Sequence, residues 1–424
     1  MLKNYLKTAL RNITKQKAYS IINIMGFSVA IAVTILIILF VSDENNFDTF
    51  NHNYNRIARI ITTSKTITKD IRKKSLSGAG LGERLRNEYP EINNSVAMVD
   101  RYSFGRFTVQ YGQNKYYESE YLITQPSFLK IFDFKVIRSV KNYLLSEPNE
   151  MVLTESTAKK FFGDENPIGK VIKTDRSWGN FKVTGLVQDP PKNSHIQFSM
   201  LISFKSLEHY KNFYKALESP DYALARTYLL FKNPVGMKGF DKKLSEYESN
   251  HKGKKFGVTE HISLQPMSDI HYGSQNIGYD YVNYASRNKT TIYILEILGL
   301  LIIIIAGINY TNLASARSIN RAKEIGVRKV IGALRKQLVG QFLIEAVLLS
   351  VMSMLIALIL VEIFLPSFNS FTGKDISIIK GLNIIEVTSI VFVTLLVGLI
   401  SGSLPALFLS KLKPVLVLNN NTQP

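Results

Sequence analysis

"RAKEIGVRKVIGALRKQ", Arg321 to Gln337, lies between two long apolar runs and sets six positive side chains and one carboxylate around two glycines. A connection that only turned the chain between membrane helices could be short and bland, so this one is expected to touch something. Read as helix, Val327, Val330, Ile331, Leu334 and Leu338 follow an i, i+3, i+4, i+7, i+11 stripe, with Arg328, Lys329, Arg335 and Lys336 largely off it. Gly326 and Gly332 bracket a short "VRKVI" helix, since glycine tolerates the φ > 0 of a bend. The pattern predicts a stubby basic helix below the membrane, shaped for a groove in a partner. Topology alone would also account for the positive charge.

Working outward, four windows are almost wholly apolar: Ile21–Val41, Thr291–Leu313, Phe342–Leu365 and Val387–Leu409. Each has about 20 residues or more, enough at ~1.5 Å per residue to cross a hydrocarbon core of ~30 Å. The mean hydropathy of +0.04 hides them, because Ser42–Lys289 reads as an ordinary water-soluble domain. The first window is too long for a signal-peptide core, and no small-residue cleavage site follows "FVSDENN", so it reads as a retained anchor.

The net charge of +19 invites a nucleic-acid reading, but its distribution argues for topology. Residues 1–42 carry five Lys/Arg and no acid, 314–339 carry +6, and the +9 of residues 43–289 is spread thinly over 247 positions. Short loops dense in Lys/Arg stay in the cytoplasm. The expected arrangement therefore has both termini and the 314–339 loop inside, the large domain outside, four crossings and no nucleic-acid partner. With no cysteine, a disulfide framework, a thiolate metal site and a Cys nucleophile are excluded.

The expected domains are an amphipathic helix over 1–20, a first membrane helix over 21–42, and an extracytoplasmic α+β domain over 43–289. A three-helix segment over 290–410 and a tail over 411–424 follow. In the first helix Leu2, Tyr5, Leu6, Ala9, Leu10 and Ile13 line one face, while Lys3, Lys7, Arg11 and Lys15 step along another, as in a helix lying among headgroups. "DENNFDTFNHNYNRIARI" is expected to continue the first membrane helix. Beyond it, "FTVQYGQNKYYESEYLIT" reads as strands around a Gly112–Asn114 turn, and "EPNEMVLTESTAKKFFGDENPIGKVIKT" as strand, Thr-capped helix, turn and strand. "FKVTGLVQDPPKNSHIQFSMLISF" reads as two strands split by Pro-Pro, and "ARTYLLFKN" and "HISLQPMSDI" as strands flanking a helix. Two lobes are expected, the distal one from roughly 105–190.

Catalytic patterns are scarce. "GDENPIGKV" fails as a phosphate loop, because its glycines are one residue too far apart and Val171 stands where a hydroxyl is needed. The six histidines show no metal-ligand spacing, and neither a G-x-S-x-G elbow nor an S-x-x-K pair occurs. Of the charges within the spans, Glu296 and Glu362 lie near outer ends, and Glu345 lies near the inner end, in reach of the basic loop. Without a mid-membrane chain of ionisable groups, an ion-coupled carrier or a polar channel is not expected.

"RAKEIGVRKVIGALRKQLVGQFLIEAVLLS" resembles the cytoplasmic loop and third span of the MacB/FtsX-type ABC transporter permeases, the type VII or mechanotransmission group. "LTESTAKKFFGDENPIGKVI", "VTGLVQDPPKNSHIQF" and "LQPMSDIHYGS" resemble landmarks of the MacB-like periplasmic core domain, and "LPALFLSKLKPVLVL" the exit of the fourth span. The resemblance covers nearly the whole chain in the family's order. It implies an inner-membrane permease whose loop docks on a separate cytoplasmic ABC ATPase, with Arg321, Lys323, Glu324, Ile325, Gly326, Arg328, Lys329, Gly332 and Ala333 as the contacting element. ATP and Mg would sit on that partner, and this chain would have no catalytic residue, cofactor or metal of its own. A second permease copy or half, the bilayer and a periplasmic partner complete the expected surroundings. Two departures stand out: the sequence carries no nucleotide-binding domain, so the ATPase is expected on another polypeptide, and Leu334 replaces the small hydroxyl residue that in the family often begins the next helix. Regulation of cell-wall hydrolases, lipoprotein release and a membrane-anchored ligand sensor are the alternatives.

Overall fold

The computed structural model describes residues 2–65, 71–118, 120–175, 179–219, 222–251, 259–281, 283, 286–316, 330–331, 334–378 and 384–411. It divides into two compact units, residues 46–289, and residues 1–45 with 290–424.

The middle unit is built on one mixed sheet. Its strands are β1 (Ile57–Lys65), β2 (Ile71–Lys74), β3 (Ser77–Gly78), β4 (Ile92–Asp100), β5 (Phe107–Tyr111), β6 (Asn114–Glu118), β7 (Tyr121–Thr124) and β8 (Val136–Ser139). The later ones are β9 (Glu150–Thr154), β10 (Val171–Thr174), β11 (Asn180–Val187), β12 (Met200–Ser203), β13 (Ala223–Phe231), β14 (Thr259–Pro266) and β15 (Ile277–Gly278). The order is β15-β2-β1-β13-β4-β7-β12-β9-β11-β10-β5-β6, with β14 beside β1, β3 beside β13 and β8 beside β11. Pairings are antiparallel except β7–β12, β9–β11 and β2–β15. The central strands are covered on both faces, so β9 and β12 are buried throughout and read as continuous apolar runs instead of alternating ones. Phe128, Phe132, Phe134 and Phe198 pack at 5–6 Å between ring centroids beside Tyr228, a large apolar contribution from few residues. Strands from 105–190 gather at one end of the path, but β12, outside that span, is wedged between β7 and β9. The ladder from β4 to β7 is unbroken.

Local chemistry explains several elements. Gly112, at φ 57°, turns the β5–β6 hairpin. Thr154 Oγ1 accepts from the Thr157 N–H and starts the Glu155–Phe162 helix. "GDENPIGKV" is the connection that follows, with Gly163 and Gly169 both at positive φ. One expectation is overturned: "DENNFDTFNHNYNRIARI" does not continue the helix. The helix ends at Asn45, turns follow, a 3-10 turn spans Tyr54–Arg56, and Ile57 opens β1. Asp48 adopts φ 61° there. Asn and Asp side chains tolerate that geometry and compete with helical hydrogen bonds through their own.

In the other unit, Lys17–Asn45, Lys289–Ala316 and Arg335–Thr372 are long and apolar enough to cross a membrane. Ile384–Lys411 carries a shorter described apolar stretch, Val387–Ser403. Small residues set their packing. A Cβ on Gly402 would fall 2.5 Å from Ala346 Cβ, and one on Gly307 2.6 Å from Ser401 Oγ, while Gly398 faces Ser350. "GLISG", Gly398–Gly402, is thus a small-xxx-small face that lets two backbones approach. Lys374, just past the third apolar helix, pairs with Glu44 at 2.8 Å and with Asp43 at the end of the first, while Glu44 is almost fully buried. At the opposite end of the third helix, Glu345 accepts from Asn12 Nδ2 at 3.4 Å, so its described partner lies on the N-terminal helix Leu2–Lys15. Ala9 and Ile13 of that helix are buried, and Leu10 is exposed.

Gly402→Leu is expected to destabilise the apolar unit by roughly 1–3 kcal/mol through overpacking against Ala346. Gly340→Leu, at a glycine with open space around it, should cost far less, and unfolding in mixed detergent micelles would compare the two.

Candidate functional site

The nine residues expected to contact an ATPase, Arg321, Lys323, Glu324, Ile325, Gly326, Arg328, Lys329, Gly332 and Ala333, lie outside the described residues. Their described flank is informative. Val330, Ile331 and Leu334 are 67%, 79% and 65% exposed, and Arg335 and Lys336 beside them are exposed too. Three exposed apolar side chains thus stand beside two exposed cations at this flank. Leu334 does not prevent the next helix from starting. Gln337 Oε1 accepts from the Leu334 N–H at 3.0 Å, and the Gln337 N–H donates back to the Leu334 carbonyl at 3.0 Å. The glutamine thus performs the reciprocal half of a capping box, and Arg335 begins the helix without a hydroxyl.

A second constellation was not predicted. The segment that follows the first apolar helix is pinned to the connection after β11. The Asp48 N–H donates to the Asn193 carbonyl at 2.8 Å, and Asp48 Oδ1 accepts from Ser194 Oγ at 2.9 Å and from the His195 N–H at 3.0 Å. Asp48 Oδ2 lies 2.7 Å from His195 Nδ1, and His195 Nε2 lies 2.9 Å from the Tyr228 hydroxyl. All three side chains are buried, and burial pushes the Tyr228 hydroxyl up to about 12. One residue earlier, the Phe47 ring stacks on His271 at 3.9 Å. The His271 carbonyl accepts from the Arg287 N–H at 3.0 Å, shortly before the second apolar helix begins at Lys289. The Met267–Gly273 helix therefore holds both the segment that enters the domain and the segment that leaves it.

Asp48, His195 and Tyr228 form a row of the kind found in hydrolases, but with His195 wholly buried no substrate can reach it. It works as a pin. Among the described residues no group of three or more His, Asp and Glu is placed to hold a metal. His195 and His271 stand inside "VQDPPKNSHIQF" and "LQPMSDIHYGS". The signal was present in those motifs, but a search for metal spacing could not expose contacts made to Asp48 and Phe47, far away in the chain.

Apolar helices long enough to span a bilayer, joined to a large mixed α/β domain, fit a membrane permease. The MacB-like periplasmic core domain family matches residues 20–246, and the FtsX-like permease C-terminal family residues 296–414. This chain belongs to the MacB/FtsX-like ABC transporter permease family. It is 24% identical over 270 residues to the macrolide export ATP-binding/permease protein MacB of Mannheimia succiniciproducens, covering 63% of this chain and 38% of that protein. It is 25% identical over 279 residues to the uncharacterized ABC transporter permease YknZ of Bacillus subtilis, covering 62% of this chain and 60% of that one. The chain thus spans less than two thirds of the length of either relative. A domain of a putative permease protein from Porphyromonas gingivalis superposes with a TM-score of 0.45 at 22% identity, over 51% of this chain and 91% of that one.

Removing an acceptor so that buried donors are left unsatisfied costs ~1–3 kcal/mol for each. Asp48→Ala is therefore expected to lower the thermal midpoint of the purified protein clearly, and Asp48→Asn, which keeps the acceptor toward Ser194 and the His195 N–H, to lower it less. Equal midpoints for Asp48→Ala and the native chain would show that the pin does not hold the domain.

Proposed function

We propose that this chain is the permease subunit of an ATP-driven export or mechanotransmission complex in a bacterial cytoplasmic membrane. The tandem of the two families in order along one chain carries the reading, with the basic loop between the second and third apolar helices. Ile384–Lys411 supplies the fourth crossing. Both termini and the loop face the cytoplasm, and the middle domain faces the periplasm, as the Lys/Arg bias dictates.

The loop docks on a separate ABC ATPase, which holds ATP and Mg. Closure of that ATPase displaces the first and second apolar helices, and the displacement reaches the sheet where the chain enters and leaves it, at Asp48–His195 and Phe47–His271–Arg287. A second permease copy or half completes the assembly. Lipoprotein release and regulation of cell-wall hydrolases use the same mechanics with a different outer partner. A groove of about 600 Å³ in the middle domain, lined by Arg84, Asn94, Lys205 and Tyr214 among others, would favour a ligand sensor. Several groups there are already satisfied, since Gln125 Oε1 accepts from the Ala97 N–H and Ser127 Oγ donates to the Ser95 carbonyl. We favour the permease.

Reconstituted with its ATPase, the native chain is expected to stimulate ATP hydrolysis, and Arg328→Glu with Lys329→Glu to reduce that stimulation by about tenfold, a coupling within the usual range. Full stimulation by the double variant would remove the loop from the coupling role.

A further inference from the structure

Tyr279–Tyr281, "YDY", follows β15, with the two tyrosines exposed on either side of a more buried Asp280. Asp280 points inward, where Arg59 Nη2 donates to it at 2.9 Å, and Arg59 also donates to Gln265 at 2.8 Å and Ser274 at 2.8 Å. The Tyr279 carbonyl accepts from buried Arg226 and, at 2.8 Å, from Ser75 Oγ. Arg226 pairs with Asp100 at 2.9 Å, and Asp100 Oδ1 accepts from the Tyr102 N–H at 3.1 Å. Both arginines are 1% exposed.

Above these pins the rings stay in solvent: Tyr279, Tyr281 and Tyr102 are 50%, 41% and 51% exposed. Tyr102 stacks on Tyr281 at 3.8 Å, and Tyr281 meets Tyr279 edge-on at 6.1 Å. Lys74 lies over Tyr279 at 5.7 Å, and Arg101 over Tyr102 at 4.9 Å. Tyr279 holds φ 58°, a strained value for a side-chain-bearing residue. Two buried ion pairs and a strained backbone thus fix a row of three exposed tyrosines, Tyr279–Tyr281–Tyr102, with half-buried Lys74 and Arg101 at its ends. Buried ion pairs add little net stability over apolar packing, so their yield here is position.

We propose that this row is a docking surface for a protein partner that presents carboxylates beside an apolar strip. Rigid tyrosines flanked by cations are the composition of binding hot spots, and rings already held in place lose little entropy on docking. Tyr102 has one face against Tyr281 and Arg101 over its ring, and Lys74 stands over Tyr279, so little open face is left for a stacked sugar and the row suits a polypeptide better. Charge selects an acidic partner. Arg72 and Lys73 on β2 are exposed next to Lys74, while Asp280 and Asp100 are engaged below by Arg59 and Arg226, and Glu120 pairs with Arg101 at 2.7 Å, so the β2 cations carry the net charge. A second copy of this basic domain would meet like charge. The surface does not depend on docking of an ATPase at the loop.

The test uses the full chain in phosphatidylcholine nanodiscs, with biolayer interferometry against a peptide alternating Glu and Phe and a control alternating Lys and Phe. The acidic peptide is expected to bind more tightly than the control and to weaken with salt. Tyr279→Ala with Tyr281→Ala should weaken it by roughly tenfold, as for a hot spot. Lys74→Glu should do likewise, and Tyr281→Phe should retain binding. Tyr102→Ala serves if the double variant melts early. Equal binding of both peptides, no binding by the native chain, or unchanged binding by both alanine variants would overturn the proposal. Loss of self-association on sedimentation of the double variant would overturn it in favour of a second copy.

Discussion

A sheet strung between two apolar helices is tied to them by short segments at both ends of the domain, and at the first of these Asp48 makes the decisive contact. It sits three residues past the helix end, in a backbone conformation that breaks the helix, and its carboxylate gathers Ser194 and both the amide and the ring of His195. Tyr228 extends the row into the centre of β13. An apolar replacement could stabilise such a place as well, but it would not define direction. A carboxylate with several fixed donors holds one geometry, so the segment cannot slide over the sheet without losing all of them at once.

The apolar unit obeys a different rule. Its helices are as greasy as the lipid they would meet, so close approach rather than hydrophobicity must hold them. Gly398, Gly402, Ala346 and Ser350 supply that approach between the third and fourth helices. The second helix is joined more sparsely, through a stripe of Ile292, Gly299, Ile303, Gly307 and Tyr310 and the hydroxyl bond from Thr311 to the Ser401 carbonyl. The helix that leads from the domain to the basic loop therefore has, among the described residues, a narrower buried face than the first or third.

Much of this was legible locally. The apolar windows, the β5–β6 hairpin, the Thr154 cap and the family motifs each depend on a few neighbouring residues, and each was read from them. What local reading missed has one cause. "DENNFDTF" looks helical by continuity, but Asp48 is drawn out by His195, 147 residues away. Arg59 and Arg226 carry no local sign of their roles, because their partners Asp280 and Tyr279 lie more than 50 residues on and become neighbours only when the sheet closes. Chemistry that spans the fold leaves no spacing to count.

Tyr279 holds one such trace in its backbone. At φ 58° a glycine would be relaxed, and a tyrosine is strained by ~1 kcal/mol or more. Relaxing this position would remove a ring and leave the Arg226 and Ser75 contacts intact, because those are made to the main-chain carbonyl. Stability and surface therefore pull apart at a single residue. Selection for a sturdier domain alone would drift position 279 toward glycine, and a tyrosine maintained there among relatives would register a demand that folding does not make.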